Sequence, residues 1–271
     1  MGKIPRCLTR REFAALAGGA AAVVLVAGTD IAAHGSPHDG GASLPGLITD
    51  GDEALAAPEA ADDPGEDAPP APMSVDELPW NLRLVNASHP LPDGFEAPER
   101  AEIPGTGGQT IDVRALDDLS ALVAAADAAG VRPVVCSAFR TASYQRKLFE
   151  ARVRRAEREE GLEGAEAEEA ASFWVARPGT SEHEAALAVD LADAGYQELD
   201  EGQENTATQK WLIEHCVEYG FILRYPTDKS DVTGIGYEPW HYRYVGKEAA
   251  SAIAESGLCF EEWLAETYTI A

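Results

Sequence analysis

Residues 34–73 carry nine Asp or Glu and not one Lys or Arg, interspersed with Pro, Gly and Ala. Apolar residues recur there at neither helix nor strand spacing, so the stretch buries too little surface to offset the entropy of ordering it. It predicts a disordered linker held extended by its own charge. At about 3 Å per residue such a linker spans up to roughly 100 Å. Composition leaves open whether it gives reach to an anchored domain or is an inert spacer. A packed core has to come from residues 74–271, enough chain for one sizeable domain.

Residues 1–33 read as a leader. Lys3, Arg6, Arg10 and Arg11 precede an apolar run over 14–27 that is too short and too rich in Ala and Gly for a comfortable membrane span. The order Thr9-Arg10-Arg11-Glu12-Phe13 resembles a twin-arginine signal, which carries folded proteins across a membrane. No clean small-x-small cleavage site surrounds Ile31-Ala32-Ala33, so retention as an anchor stays open. Cys7 lies before the apolar run, the wrong place for lipid attachment. The expectation is an exported protein, in the cell wall or outside the cell, that meets a membrane only through a retained leader.

Acidic residues number 47 against 21 basic ones, a formal charge of -26. Lys and Arg are too scarce to neutralise a run of phosphates, which excludes nucleic acid as a partner. The charge is equally consistent with solubility in salt, rejection of anionic polymers, or compositional bias. Cys136, Cys216 and Cys259 remain beyond the leader, an odd number that allows at most one disulfide. No C-x-x-C pair exists, so a zinc ribbon and a thioredoxin-like site are excluded.

Leu116, Leu119, Leu122, Val123 and Ala126 repeat at helical spacing and predict a helix over 115–129, stopped by Gly130. A short strand is expected over 131–136, then a helix over 141–160 with Tyr144, Leu148 and Phe149 inward. The acidic run 157–169 reads as a solvated helix face or loop. Further strands are expected over 187–191, 221–225 and 242–245, a helix over 206–219 closed by Gly220, and helical material over 249–268. No regular βαβ repeat appears. The fold class is α+β, a single domain with a small, mainly antiparallel sheet flanked by helices.

Chemistry concentrates in three segments. In the apolar run Ala185-Ala186-Leu187-Ala188-Val189-Asp190-Leu191 the carboxylate of Asp190 is costly to bury unless it is paired or bound to a cation. His183 lies just upstream, and His241 ends the segment Glu238-Pro239-Trp240-His241. Two imidazoles and a carboxylate supply three ligands for a catalytic zinc, which keeps its fourth position open. In a straight strand Glu238 and His241 would face opposite ways, but a turn at Pro239 would bring both to one cavity. There Glu238 would take a proton from water and return it to the leaving amine. The third segment is Ser137-Ala138-Phe139-Arg140, with Gln145 in the next helix. Arg140 would either stabilise an oxyanion or bind a substrate carboxylate.

Other hydrolase patterns fail. His183-Glu184-Ala185-Ala186 begins like H-E-x-x-H, but Leu187 stands where the second His belongs. There is no G-x-S-x-G, no S-x-x-K with K-T-G, and no P-loop. His34, His38, His89 and His215 read as ordinary polar residues, and Trp240 as packing around the site.

Together the three segments resemble the D-alanyl-D-alanine carboxypeptidases of the VanY type, within the LAS metallopeptidases of peptidase family M15. The family's S-x-H-x-x-G-x-A-x-D is matched by Ser181, His183, Ala188 and Asp190, its E-x-W-H by Glu238, Trp240 and His241, and its S-x-x-R by Ser137 and Arg140. The resemblance spans about residues 78–246. One departure is Ala186, which replaces the family's Gly; if that Gly has a positive φ, the methyl group distorts the loop.

The resemblance implies one zinc held by His183, Asp190 and His241, with Glu238 as general base and acid and Arg140 stabilising the transition state. Ser137, Gln145 and Ser181 would hold substrate, a peptidoglycan stem peptide or its precursor losing its C-terminal D-Ala. Alternatives on the same fold are an L,D-carboxypeptidase and an endopeptidase. A rival of another class is a non-catalytic wall-binding module that keeps zinc for structure, against which the intact Glu238 argues.

Overall fold

Leu119, Leu122 and Ala126, three of the residues in the helical repeat, are fully buried on one side of a helix that begins at Leu116. The computed structural model describes residues 73–268. The expected leader over 1–33 and, Met73 apart, the expected linker over 34–73 lie outside the described residues.

In chain order the elements are β1 (Arg100–Glu102), β2 (Thr110–Asp112), α1 (Leu116–Ala128), β3 (Pro133–Ser137), α2 (Ala142–Arg155) and α3 (Gly164–Ser172), followed by β4 (Ala188–Asp193), α4 (Ala207–His215), β5 (Phe221–Leu223) and α5 (Ser230–Thr233). The chain continues through β6 (His241–Tyr244), α6 (Lys247–Ser256) and α7 (Phe260–Tyr268). Four strands form one sheet in the order β3-β4-β6-β5, every pair antiparallel. β1 and β2 form a separate hairpin. The α+β class and the small antiparallel sheet expected from the sequence are both present.

Strand alternation divides the sheet by chemistry. Val189, Leu191, Phe221 and Tyr242 pack with Leu119 and Leu122 of α1 and Leu212 of α4 in the main core. Fully burying each Leu side chain contributes about 1.5–3 kcal/mol before entropy is counted. The residues of opposite parity include Ala188 and Asp190 on β4, paired in register with Arg243 and His241 on β6. A second core joins Ile222 and Val245 to Ile253 of α6, Phe260 and Leu264 of α7, and Leu78 and Leu82.

Several boundaries shift for local reasons. The helix expected over 206–219 tightens into a 3-10 turn at Cys216–Tyr219 before Gly220, whose φ of 80° ends it. A Cβ at Gly220 would lie 3.0 Å from the Gly246 carbonyl carbon and the Lys247 nitrogen, so the helix end can approach β6 only without a side chain. The helix begun at Thr141, whose side chain accepts from the Tyr144 N–H, runs on as a π turn over Ala156–Glu160 and stops at Gly161. The acidic stretch that follows belongs partly to α3, with Ala167 and Ala171 buried and its carboxylates in solvent. The helical material over 249–268 is two helices, separated at Gly257 (φ 69°).

The β1–β2 hairpin is not evident in the sequence because three-residue strands carry too little alternation. No disulfide joins Cys136, Cys216 and Cys259 to one another. Among the described residues no helix is long and apolar enough to cross a membrane.

Candidate metal centre

The loop after β3 is fastened by the hairpin. Ala138 N donates to Gln109 Oε1 (3.2 Å) and Phe139 N to Thr110 O (2.9 Å). Arg140 N donates to His183 O (3.1 Å), tying this loop to the segment that carries the first histidine.

That segment is a helical turn. Ala186 N donates to His183 O (3.2 Å) and Leu187 N to Glu182 O (3.3 Å), the paired bonds of a Schellman motif in which Ala186 takes the left-handed position. Its φ is 60°, the only positive φ at a non-glycine among the described residues. The departure noted in the sequence thus falls on the one non-glycine among the described residues whose conformation favours glycine. The strain of about 1–2 kcal/mol is offset by burial of the methyl group, about 0.8 kcal/mol, and by lower unfolded-chain entropy, about 0.4–1 kcal/mol. Ala186→Gly should therefore change stability by less than about 1 kcal/mol. Ala186→Val should cost about 3 kcal/mol, from backbone strain and overpacking. Denaturant unfolding checks both, and a glycine variant stabilised by 2 kcal/mol or more (roughly the full left-handed penalty) would contradict this balance.

Asp190 and His241 are direct neighbours on β4 and β6. His241 N donates to Glu238 O (3.2 Å), closing the turn expected at Pro239. Glu238 Oε2 consequently lies 3.4 Å from His241 Nδ1. Asp190 Oδ1 is 3.3 Å from His183 Nε2 and 3.3 Å from His241 Nδ1.

These atoms fit a metal. His183, Asp190 and His241 are at most 4% exposed, and the three can offer ligand atoms within 4.8 Å of one another. His183 Nδ1 is engaged by Ala138 O at 2.8 Å, which leaves Nε2 free to coordinate. His183 Nε2 and Asp190 Oδ1 are buried without a hydrogen-bond partner, a costly condition that a cation would relieve. Tetrahedral zinc with bonds of about 2.0–2.1 Å sets its ligand atoms roughly 3.3 Å apart, the separation of Asp190 Oδ1 from each histidine nitrogen.

Burial opposes the charge on Asp190, but His183, Arg140 and the close approach of both imidazoles hold its pKa well below the usual carboxylate range. Burial and the Arg140 charge push His183 down to about 4, so it is neutral and able to coordinate. Burial also acts against charge on His241, yet the adjacent carboxylates of Asp190 and Glu182 outweigh it and raise its pKa to about 9. Burial, reinforced by the Asp190 charge, pushes Glu238 up to about 8. A cation at the centre favours the neutral His241 and the ionised Glu238.

Arg140 sits behind the carboxylate. Its Nη2 donates to Asp190 Oδ2 (2.5 Å), its Nε to Ser137 Oγ (2.8 Å) and its Nη1 to Gln145 Oε1 (3.4 Å). Ser137 and Gln145, expected as substrate contacts, are each bonded to Arg140. Gln145 is fully buried, its amide nitrogen donating to Ala176 O (2.7 Å). Ser181 is buried at the start of the Schellman turn.

Sequence reasoning overlooked Glu182, Arg224, Arg243 and Tyr225. Glu182 Oε1 accepts from Arg224 Nε (2.8 Å) and Arg243 Nη1 (2.7 Å), and the Tyr225 ring lies 4.8 Å from that of His241. The signal was present: Arg224 directly follows the apolar strand Phe221–Leu223 and Arg243 sits between two tyrosines on β6, and buried guanidinium groups require buried acids.

The family described as VanY, D-alanyl-D-alanine carboxypeptidase, matches residues 108–247. A D-alanyl-D-alanine carboxypeptidase of Enterococcus faecalis is 42% identical over 189 residues, covering 70% of this chain and 67% of that one. Among solved structures, a mutant of the vancomycin-resistance D,D-pentapeptidase VanY from a VanB-type cassette, in complex with Zn(II), superposes with a TM-score of 0.62 at 42% identity, covering 69% of this chain and 99% of that one. The LD-carboxypeptidase LdcB superposes with a TM-score of 0.59 at 33% identity, covering 68% of this chain and 86% of that one. The matched residues contain the whole triad, Glu238 and Arg140, and the chain belongs to the VanY family of D-alanyl-D-alanine carboxypeptidases, a metallopeptidase.

Proposed function

We propose that this protein is an exported zinc D,D-carboxypeptidase that removes the C-terminal D-Ala from peptidoglycan stem peptides. The observation that carries the reading is Glu238 Oε2, buried 3.4 Å from His241 Nδ1 beside two other potential ligands. A structural zinc site has no use for such a carboxyl group. Residues 1–33 would act as the export leader and any membrane contact, and residues 34–73 as the linker to the peptidase domain.

Zinc, held by His183, Asp190 and His241, supplies Lewis acidity toward water and the scissile carbonyl. Glu238 accepts a proton from the attacking water as the new C–O bond forms. It then delivers that proton to the amine nitrogen as the C–N bond breaks, releasing D-Ala and a peptide shortened by one residue. Three of the five N–H groups of Arg140 are used by Asp190, Ser137 and Gln145. The other two are available to the carbonyl oxygen as it gains charge, or to the substrate's terminal carboxylate. Ser137 and Gln145 contribute by holding Arg140.

The similarity to LdcB favours a second reading, cleavage after an L-residue. Mass spectrometry of wall tripeptide, tetrapeptide and pentapeptide after incubation with the purified protein separates the two. Loss of one D-Ala from the pentapeptide, blocked by a chelator and restored by zinc, is the expected result. Cleavage of the tetrapeptide alone would assign the L,D-activity, internal cleavage of cross-linked peptide an endopeptidase, and bound zinc without hydrolysis a binding module.

A further inference from the structure

His183 and His241 face the proposed metal position through different ring nitrogens, and a different group holds the back of each. Behind His183 is a backbone carbonyl, Ala138 O, at 2.8 Å from Nδ1. Behind His241 is a carboxylate, with Glu182 Oε2 at 3.4 Å from Nε2. Both of these atoms are buried, neither makes a hydrogen bond to any group, and each is the other's nearby ionisable partner. We propose that Glu182 is a positioning residue that keeps the His241 proton on Nε2 and thereby presents the Nδ1 lone pair to the metal. The proposal rests on the zinc triad read above.

Neutral imidazole carries one N–H and one lone pair, so an acceptor fixed behind Nε2 selects the tautomer that can coordinate through Nδ1. Glu182 is well built for this. Its Oε1 takes Arg224 Nε and Arg243 Nη1, and all three side chains are fully buried. Arg224 is held at its other end by Glu261 of α7, with Nη1 to Oε2 at 2.8 Å and Nη2 to Oε1 at 2.6 Å. Arg243 Nη2 donates to Asn81 O (3.0 Å) and Arg83 O (2.7 Å). Two arginines thus lock one carboxylate oxygen so that the other stays against the metal-binding ring. Balancing buried charge does not by itself require contact with His241.

Competition titration with a zinc chelator, with nitrogen-15 spectra of the His241 ring, tests this on the full-length protein. Glu182→Gln can turn its amide N–H toward Nε2 and select the opposite tautomer. The expected result is zinc affinity lower by about 10- to 100-fold and, in chelated protein at a pH where the ring is neutral, a ring proton moved to Nδ1. Glu182→Asp retains charge for the arginines while withdrawing from His241, and should fold with affinity weakened in the same direction. Glu261→Gln loosens Arg224 without touching the ring, and should lower thermal stability while leaving zinc affinity within about threefold, well below the loss expected at an outer-sphere ligand partner. Equal loss of affinity in Glu261→Gln and Glu182→Asp would make the network merely structural. Undiminished affinity and native tautomer in both Glu182 variants would overturn the proposal alone. A wild-type protein that binds no zinc would overturn the triad as well.

Discussion

Glu238→Ala lowers D-Ala release by roughly 10²- to 10⁴-fold while the protein retains its zinc. The carboxyl group is outside the proposed ligand set yet close enough, 3.4 Å from His241 Nδ1, to exchange protons with a water in the same cavity. Removing it deletes the proton acceptor and leaves the three ligands in place. The same variant has a pH signature in chelated protein. Burial raises this group from 4.5 to about 8, so its contribution to stability is present below pH 4.5 and is lost as pH rises through 8. Metal-free wild type should therefore lose stability relative to Glu238→Ala across that window. Turnover assays, metal analysis and melts at both ends of the window check it. Wild-type turnover in the variant would exclude Glu238 as the base, and loss of zinc would make it a ligand.

Asp190→Ala has the largest combined effect, abolishing zinc binding and hydrolysis together. Asp190 Oδ1 lies 3.3 Å from a nitrogen of each histidine, and Oδ2 accepts from Arg140 at 2.5 Å. The substitution removes one ligand and leaves a largely buried guanidinium without its partner. Breaking a buried pair from one side costs about 3–5 kcal/mol, which for a domain of this size lowers the melting temperature on the order of 10 °C. Because the pKa of Asp190 lies well below 3.8, its stabilisation is present above that value and lost only in stronger acid. The deficit of the variant should persist from neutral pH down to about pH 4, the ordinary carboxylate range. Metal analysis and calorimetry test this, and a stoichiometric zinc in folded Asp190→Ala would remove Asp190 from the ligand set.

The residues that carry the proposed chemistry were legible because their environments are local. Asp190 declared itself by interrupting an apolar strand, and the strand places it in register with His241. Pro239 signalled the turn that brings Glu238 to the same cavity, and the structure closes that turn with a single bond from His241 N to Glu238 O. Ala186 stood out as a methyl group where the family has Gly, and its φ of 60° shows that the position is left-handed. Ser137 and Gln145 were less legible: their residue types suit substrate binding as well as they suit holding Arg140. Only the folded structure shows Gln145 bonded to both Arg140 and the Ala176 carbonyl.

The amino-acid sequence alone determined the class of fold and pointed to the proposed ligands and the carboxyl group beside them. Each depends on residue spacing over a few positions, where chain geometry dictates turn, strand parity and helix face. Tertiary structure alone decided which nitrogen of each histidine faces the centre and what stands behind it. Glu182 meets Arg224 and Arg243 across separations of 42 and 61 residues, and the hairpin that fastens the Arg140 loop has strands of three residues. Such contacts depend on sheet register and on layers closing around one another. The cost of burying a charge says only that a partner must exist, and the fold determines which residue it is.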